Sequence, residues 1–422
     1  MTTLQAAAPS GRKLLRIGAL SLIVSATLLQ RFGVNAGELS TSAAMLGVYV
    51  FLLFAGLAGA LTLSGERALL FGVCLSVALI SLLLNETGSS TSSLLLLAAM
   101  YLPFVFVLRP RSLDEADSAW MLARFLDLTL ACALIGICQF ALQTVIHADW
   151  LFDFTPYIPE KLRAAGTFNT VISMGSFNKS NGFFFREPSG FSYLMALALV
   201  AEWTTRKRSY RLSCLCLALL LTYSGTGILA LLLATLHPLG PKTLLRLLVL
   251  GVLGGLVFWV LGDALNLSFT LDRVGEFNST HSSAYMRYVA PLRLVIESIE
   301  SSPWTPFFGH GPGTIFRTAR DYEFHDPTWA KLLFEYGVVG FIGFVALFSA
   351  MLKRPAIPLQ IRAVLFWGWL ILGGHLLSPE HNFLSLMLIG LMPAGDALGS
   401  RSRREPSLAS SRVEIPGALP TS

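Results

Sequence analysis

The segment SNGFFFREPSGFSYLMALALVAEW, Ser180–Trp203, sets Arg186 and Glu187 against Pro188 and then runs into apolar residues. The run after Pro188, about 189–203, reads as a helix able to enter a bilayer. An ion pair at the mouth of such a helix needs partners or a water-filled cavity, so Arg186 and Glu187 are functional suspects. The bland alternative is a snorkelling pair that anchors the helix.

The rest of the chain has the same character. Only 13% of its 422 residues are charged, about half the share of a soluble domain. Apolar runs recur at about 14–30, 43–63, 67–84, 94–108, 125–146, 244–262, 332–352, 361–377 and 382–398, most of them near the length that spans hydrocarbon. The net charge of +6 therefore reads as orientation signal rather than nucleic-acid binding. The five cysteines lie inside apolar runs, with no disulfide framework and no metal-ligand spacing. No cleavable leader pattern is visible after Arg12, Lys13 and Arg16.

The stretch 209–240 is either one span or two short ones broken at Tyr223-Ser224-Gly225-Thr226-Gly227. Basic loops decide between them. With Arg12, Lys13 and Arg16 inside, a hairpin brings Lys242, Arg246, Lys353, Arg354, Arg401, Arg403 and Arg404 inside as well. The expectation is an all-α polytopic integral membrane bundle of about 12 helices, with both termini cytoplasmic. Its parts are N-terminal helices over 1–146, a first periplasmic loop over 147–188, and central helices over 189–262 with the hairpin tip at 223–227. A second periplasmic loop over 263–331, C-terminal helices over 332–398 and a disordered tail over 399–422 complete it. The second loop carries an amphipathic helix, about Ser282–Ser301, with Tyr285, Val289, Leu292 and Ile296 on one face.

Polar chemistry gathers in the outer segments. Arg186 and Arg287 offer rigid forks of donors for an anion. The Ser224–Gly227 tip permits close backbone approach, although a plain tight turn explains it as well. Phe308-Gly309-His310-Gly311-Pro312-Gly313 is a second glycine turn. His325 beside Asp326 offers a base next to a carboxylate, just before the helix that opens Glu335-Tyr336-Gly337.

An Arg ahead of a Gly-His-Gly-Pro-Gly turn, followed by a His and then Glu-x-Gly on a helix, resembles the second outer loop of the O-antigen ligase/polymerase superfamily. Phe185-Arg186-Glu187-Pro188-Ser189 is similar to the entry of the helix after the first outer loop in its Wzy-type polysaccharide polymerase branch. Tyr223-Ser224-Gly225-Thr226-Gly227 falls where that superfamily has its hairpin tip. Detailed resemblance covers about 180–340. Two departures stand out: ligases of the superfamily have an arginine at the tip where this chain has Gly225, and Arg163 with Gly175 misses by one the Arg-to-Gly spacing of some polymerases.

The resemblance implies a membrane glycosyltransferase of the inner membrane. It would polymerise undecaprenyl-diphosphate-linked repeat units into exopolysaccharide or O-antigen at the periplasmic face. Donor and acceptor would both be lipid-linked glycans, membrane lipid would surround the site, a chain-length regulator is a possible partner, and no nucleic acid, cofactor or metal is called for. Arg186 and Arg287 would stabilise the departing diphosphate, and His325, or Glu187 in its place, would take the acceptor proton. Arg163, Arg293, Ser224, Gly225, His310, Gly311, Gly313 and Glu335 would bind substrate. A ligase that moves finished glycan to lipid A-core is the first alternative. A secondary transporter is the second, disfavoured because no mid-span ionisable chain or inverted repeat is evident.

Overall fold

The computed structural model describes residues 9–390, apart from 37–38, 86–87, 110–114, 165–170, 175–176, 238–239, 241–247, 250, 257–258, 261–281, 283, 300–301, 318–321, 354–356 and 373–375. Much of the second outer segment, parts of the 244–262 run, His281, Arg354, His375 and the tail therefore fall outside the described residues. The chain is predominantly helical. α1 (Pro9–Thr27) packs along α2 (Ala43–Leu57), and α3 (Gly65–Leu84), α4 (Thr91–Tyr101) and α5 (Glu115–Leu142) follow. Next come α6 (Pro188–Thr205), α7 (Ser209–Leu220), α8 (Gly225–Thr235), α9 (Ala290–Ile299) and α10 (Thr305–Phe308). The series ends with α11 (Thr328–Leu352), α12 (Leu359–Leu370) and α13 (Pro379–Ser385).

Among the described residues, three helical segments are long and apolar enough to cross a membrane: α3, the Ala119–Leu142 part of α5, and α11. Shorter apolar helices include α2, α7, α8 and α12.

α6 is the axis of the bundle. It is apolar nearly all round, the mark of a fully enclosed helix, and Phe191 through Ala198 are buried without interruption. Helices α5, α7, α8 and α12 pack on it. Small residues set the closest approach, where a Cβ on Gly227 of α8 would sit 2.6 Å from the Ser192 carbonyl of α6. Elsewhere, Phe348 stacks on Trp369 at 4.2 Å, the Trp369 indole donates to the Tyr101 hydroxyl at 3.0 Å, and that hydroxyl donates to the Leu376 carbonyl at 3.1 Å, so the buried polar groups are satisfied.

Several boundaries differ from the sequence expectation. Within 209–240 the expected pair of short helices forms, α7 and α8, but they part at Leu221–Ser224 rather than at 223–227. The runs 43–63 and 94–108 do not stay helical to their ends. Leu61–Leu63 and Phe106–Leu108 instead pair as β3 and β4 of an antiparallel ladder; β1 (Gly33–Ala36) with β2 (Leu39–Ser42) forms a second and β5 (Ser173–Met174) with β6 (Phe177–Asn178) a third. Gly59, with φ of +64°, turns the chain out of α2 and lets Leu61 meet Leu108.

The amphipathic segment is helical from Tyr285 to Ile299, but its inward face is not the expected one. Val289, Leu292 and Ile296 are exposed, while Ala290, Leu294, Val295 and Ser298 are buried. Leu294 packs with Ile315 and Phe334 in a small cluster apart from the main core. That cluster chooses the face, because it lies on the side of the glycine turn.

Candidate active site

The N-terminus of α6 is built to receive charge. Glu187 is its N-cap in extended conformation, with φ of −140°, and Pro188 occupies the first turn. The unsatisfied N–H groups there favour a carboxylate. Ser189 donates its hydroxyl to Glu187 Oε2 at 2.7 Å.

Arg287 arrives from the second loop. Tyr285–Val289 form a single π-helical turn, a distortion that recurs at functional positions. From it the Arg287 guanidinium donates to Glu187 Oε2 at 3.2 Å, to Thr226 Oγ1 at 3.0 Å and to Ser189 Oγ at 3.4 Å. One side chain thus joins the starts of α6 and α8. The Gly227 N–H donates to Ser192 Oγ at 3.1 Å, which locks the same two helix ends together.

Arg186 is held from the other side. Its Nε and Nη2 both donate to the Gln30 carbonyl, at 3.0 and 2.8 Å, and Nη2 also reaches Glu380 Oε1 at 3.3 Å. Glu380 belongs to the first turn of α13. Arg31 secures the Gln30 turn: it is fully buried and donates to Asp153, Thr155 and the carbonyls of Phe152 and Phe185, with Phe154 under its plane at 4.8 Å. Burial pulls its guanidinium down to about 10, Asp153 opposes that shift and Arg186 adds to it. At neutral pH it still carries its proton, so Arg31 adds positive field beside Arg186.

His325 stands over this cluster. Its backbone N–H donates to the Met286 carbonyl at 2.8 Å, which ties it to the π-helical turn that carries Arg287. Burial first, then the Arg287 charge, lowers the imidazole below its ordinary value, against the opposing pull of Glu187 and Asp326. A neutral imidazole able to accept a proton is the form these surroundings favour.

Of the residues expected from sequence, Arg186, Glu187, Arg287 and His325 converge, with the Ser224–Gly227 tip beside them. Ser224 caps α8 in extended conformation. Gly225 is exposed, and a Cβ there would meet nothing within 4 Å, so the tip has open space in front of it.

Others go elsewhere. The Arg163 guanidinium turns back to the carbonyls of Ile158 and Pro156 at 2.8 and 3.3 Å. Arg293 is 58% exposed, pairs with Glu297 at 2.6 Å and lies over the Tyr322 ring. An i,i+4 partner one turn away captures it. His310 packs its ring on Phe334 at 4.6 Å. Glu335 is fully buried and receives the Ile315 N–H at 3.4 Å, with Lys331 Nζ 3.9 Å away. Lys331 in turn bonds Asp326 at 2.9 Å. Gly311 and Gly313 adopt φ of +94° and +75°, and the Gly311 N–H donates to the Glu335 carbonyl at 2.9 Å. The glycine turn and Glu335 thus brace the start of α11 and the Asp326 beside His325.

Sequence reading missed Glu380, Gln30 and Arg31. They lie 194, 156 and 154 positions from the first-loop residues they bind, and no local spacing signals a contact of that range.

Arginines, two helix starts, an acidic residue and an imidazole held toward its neutral form, all set in an apolar helical frame, mark a membrane protein with a cationic candidate site. The chain belongs to the WcaD colanic acid polymerase family, which matches it across residues 46–394. No curated protein matches the chain. Family membership gives it a polysaccharide-polymerase role of glycosyltransferase type and agrees with the Wzy-type branch expected from Arg186–Ser189 and the glycine turns.

Proposed function

We propose that this protein joins lipid-diphosphate-linked oligosaccharide repeat units into polymer at the Arg186–Arg287 cluster, on the periplasmic face of the inner membrane, by inverting glycosyl transfer that uses no metal. The observation that carries this reading is the convergence of Arg186, Glu187, Arg287 and His325 on the starts of α6 and α8. An undecaprenyl carrier suits the apolar frame, since its tail can lie between helices while its diphosphate meets the guanidinium groups.

The chemistry follows from the charges. A sugar hydroxyl of the acceptor attacks the anomeric carbon of the donor, and the bond to the lipid diphosphate breaks. Negative charge grows on the leaving oxygens. Fixed guanidinium groups and helix N–H groups meet it without reorganising. Arg287 now spends its donors on Glu187, Thr226 and Ser189, and Arg186 on Gln30 and Glu380; an incoming diphosphate competes for those donors. His325 takes the hydroxyl proton as a neutral base. Glu187 holds Arg287, and is the alternative acceptor of that proton in place of His325. Arg163, Arg293, His310 and Glu335 support the loops rather than the reacting atoms. Polymerisation is favoured over ligation by the family match and by the uncharged tip at Gly225.

A deletion strain carrying the wild-type chain should make polymer, and one carrying Arg287→Ala should accumulate single lipid-linked repeat units at normal protein level. Facing is read separately. A cysteine at exposed position 302, in a background free of other cysteines, should react with an impermeant maleimide added from the periplasmic side. Labelling only after inner-membrane lysis reverses the topology.

A further inference from the structure

A second polar site lies at the other end of the bundle. α8 runs from the arginine cluster at Thr226 to Thr235, roughly 14 Å at 1.5 Å per residue, and His237 follows just beyond its end. α3 and α11 behave alike. The Ser81 hydroxyl of α3 bonds the Glu335 carbonyl of α11 near the glycine turn at 2.8 Å, while Glu66 and Lys353 mark their opposite ends. Between those far ends and α12 is a cavity of about 720 Å³, within the usual size of small-molecule sites. His237, Lys353 and Arg362 line one part of it, Phe366 and Trp367 another, and Glu66 is its one acidic residue.

Its cations are held in reserve. Among the described residues neither Lys353 nor the Arg362 side chain has a hydrogen-bond or ion-pair partner, and Arg362 Nε is buried with none. A buried donor without an acceptor costs free energy unless a ligand supplies one. The His237 ring is oriented by its Nδ1, 2.9 Å from the Leu233 carbonyl, which leaves Nε2 for the cavity. α3 and α11 are long and apolar enough to cross a membrane, so their ends fall at a membrane boundary, where Trp and basic residues concentrate. The partner that fits is amphiphilic, anionic at one end and apolar along its length.

We infer that this cavity holds an anionic membrane phospholipid, its headgroup phosphate on Arg362 and Lys353 and its acyl chains along Phe366 and Trp367. Basic pockets between membrane helices bind such headgroups. Nothing in this inference depends on the glycosyl-transfer reading of the Arg186–Arg287 cluster.

The test uses delipidated full-length protein in neutral detergent, titrated with dioleoyl phosphatidylglycerol, dioleoyl phosphatidylethanolamine or inorganic phosphate and read by native mass spectrometry. Phosphatidylglycerol should bind at least about tenfold more tightly than phosphatidylethanolamine. Lys353→Gln and Arg362→Gln should each weaken it about fivefold. Equal binding of the two lipids, unchanged binding in both variants, or displacement of phosphatidylglycerol by millimolar phosphate each overturns the inference. Should a variant fold poorly, a photoreactive phosphatidylglycerol on the wild-type protein decides. Cross-links within 346–367 or at Glu66, Leu70 or His237 support the site, and cross-links confined to other segments refute it.

Discussion

Arg287 Nη2 lies 3.2 Å from Glu187 Oε2, across 100 positions of sequence. The pair joins the second loop to the first turn of α6, which is buried without interruption from Phe191 to Ala198. Glu187 is 37% exposed on its side chain and Arg287 15%, so the pair borders solvent and is open to an incoming anion. Arg287→Ala should lower polymer yield at least about 100-fold, the scale of losing one fixed donor to a developing oxyanion. Arg287→Lys should fail nearly as badly, because a single ammonium does not span Thr226, Glu187 and Ser189. Polymer gel profiles against immunoblotted protein level measure both.

Glu380 is expected to act through Arg186. Its side chain is 7% exposed and its carboxylate orients a guanidinium that is 25% exposed. Glu380→Gln keeps a hydrogen-bond acceptor but removes the charge. It should reduce the polymerisation rate about tenfold, the scale of losing orientation at a reacting centre, with little change in the amount of protein in the membrane. An unchanged rate would leave Arg186 positioned by Gln30 alone.

The pH profile should report His325. Burial and Arg287 lower its pKa below the ordinary 6.5. The base works neutral, so activity is present above that lowered pKa and is lost as pH falls through it. The acid limb of the rate profile should therefore sit below pH 6.5. Glu187 raises the same pKa, so any residual activity of Glu187→Gln should hold to still lower pH. His325→Gln should abolish the limb together with most of the rate.

Two glycines two positions apart, Gly225 and Gly227, should behave oppositely. A Cβ at Gly225 meets open space, and one at Gly227 meets the Ser192 backbone at 2.6 Å. Gly227→Val should destabilise the α6–α8 contact by about 1–3 kcal/mol, the cost of overpacking, and Gly225→Ala should leave the melting temperature in detergent unchanged. The paired result separates a packing role from a binding role at the tip.

Much of this architecture is legible in sequence because it is periodic or local. Apolar runs mark the helices, and Arg186-Glu187-Pro188 announces the start of α6. Ser224–Gly227 marks the break between α7 and α8, where glycines and a polar residue interrupt leucines. What stays hidden depends on contacts between distant segments. The amphipathic helix turns Leu294 inward rather than Leu292 and Ile296, because Phe334 and Ile315 wait on that side. Arg163 reads as a ligand residue but meets the carbonyls of its own loop first. Glu335 reads as part of a site motif and instead fills its oxygen with a backbone N–H. Arg31 follows the first apolar run with nothing in the local sequence to single it out, yet it is fully buried. In each case, which polar partner lies within reach decides the role.

The most direct measurement is polymerisation in vitro. Purified wild-type protein in liposomes, given undecaprenyl-diphosphate-linked repeat units, should release undecaprenyl diphosphate in step with new glycosidic bonds. Arg186→Ala and Arg287→Ala, with melting temperatures matching wild type, should do neither. Full-length polymer from either arginine variant would contradict the account.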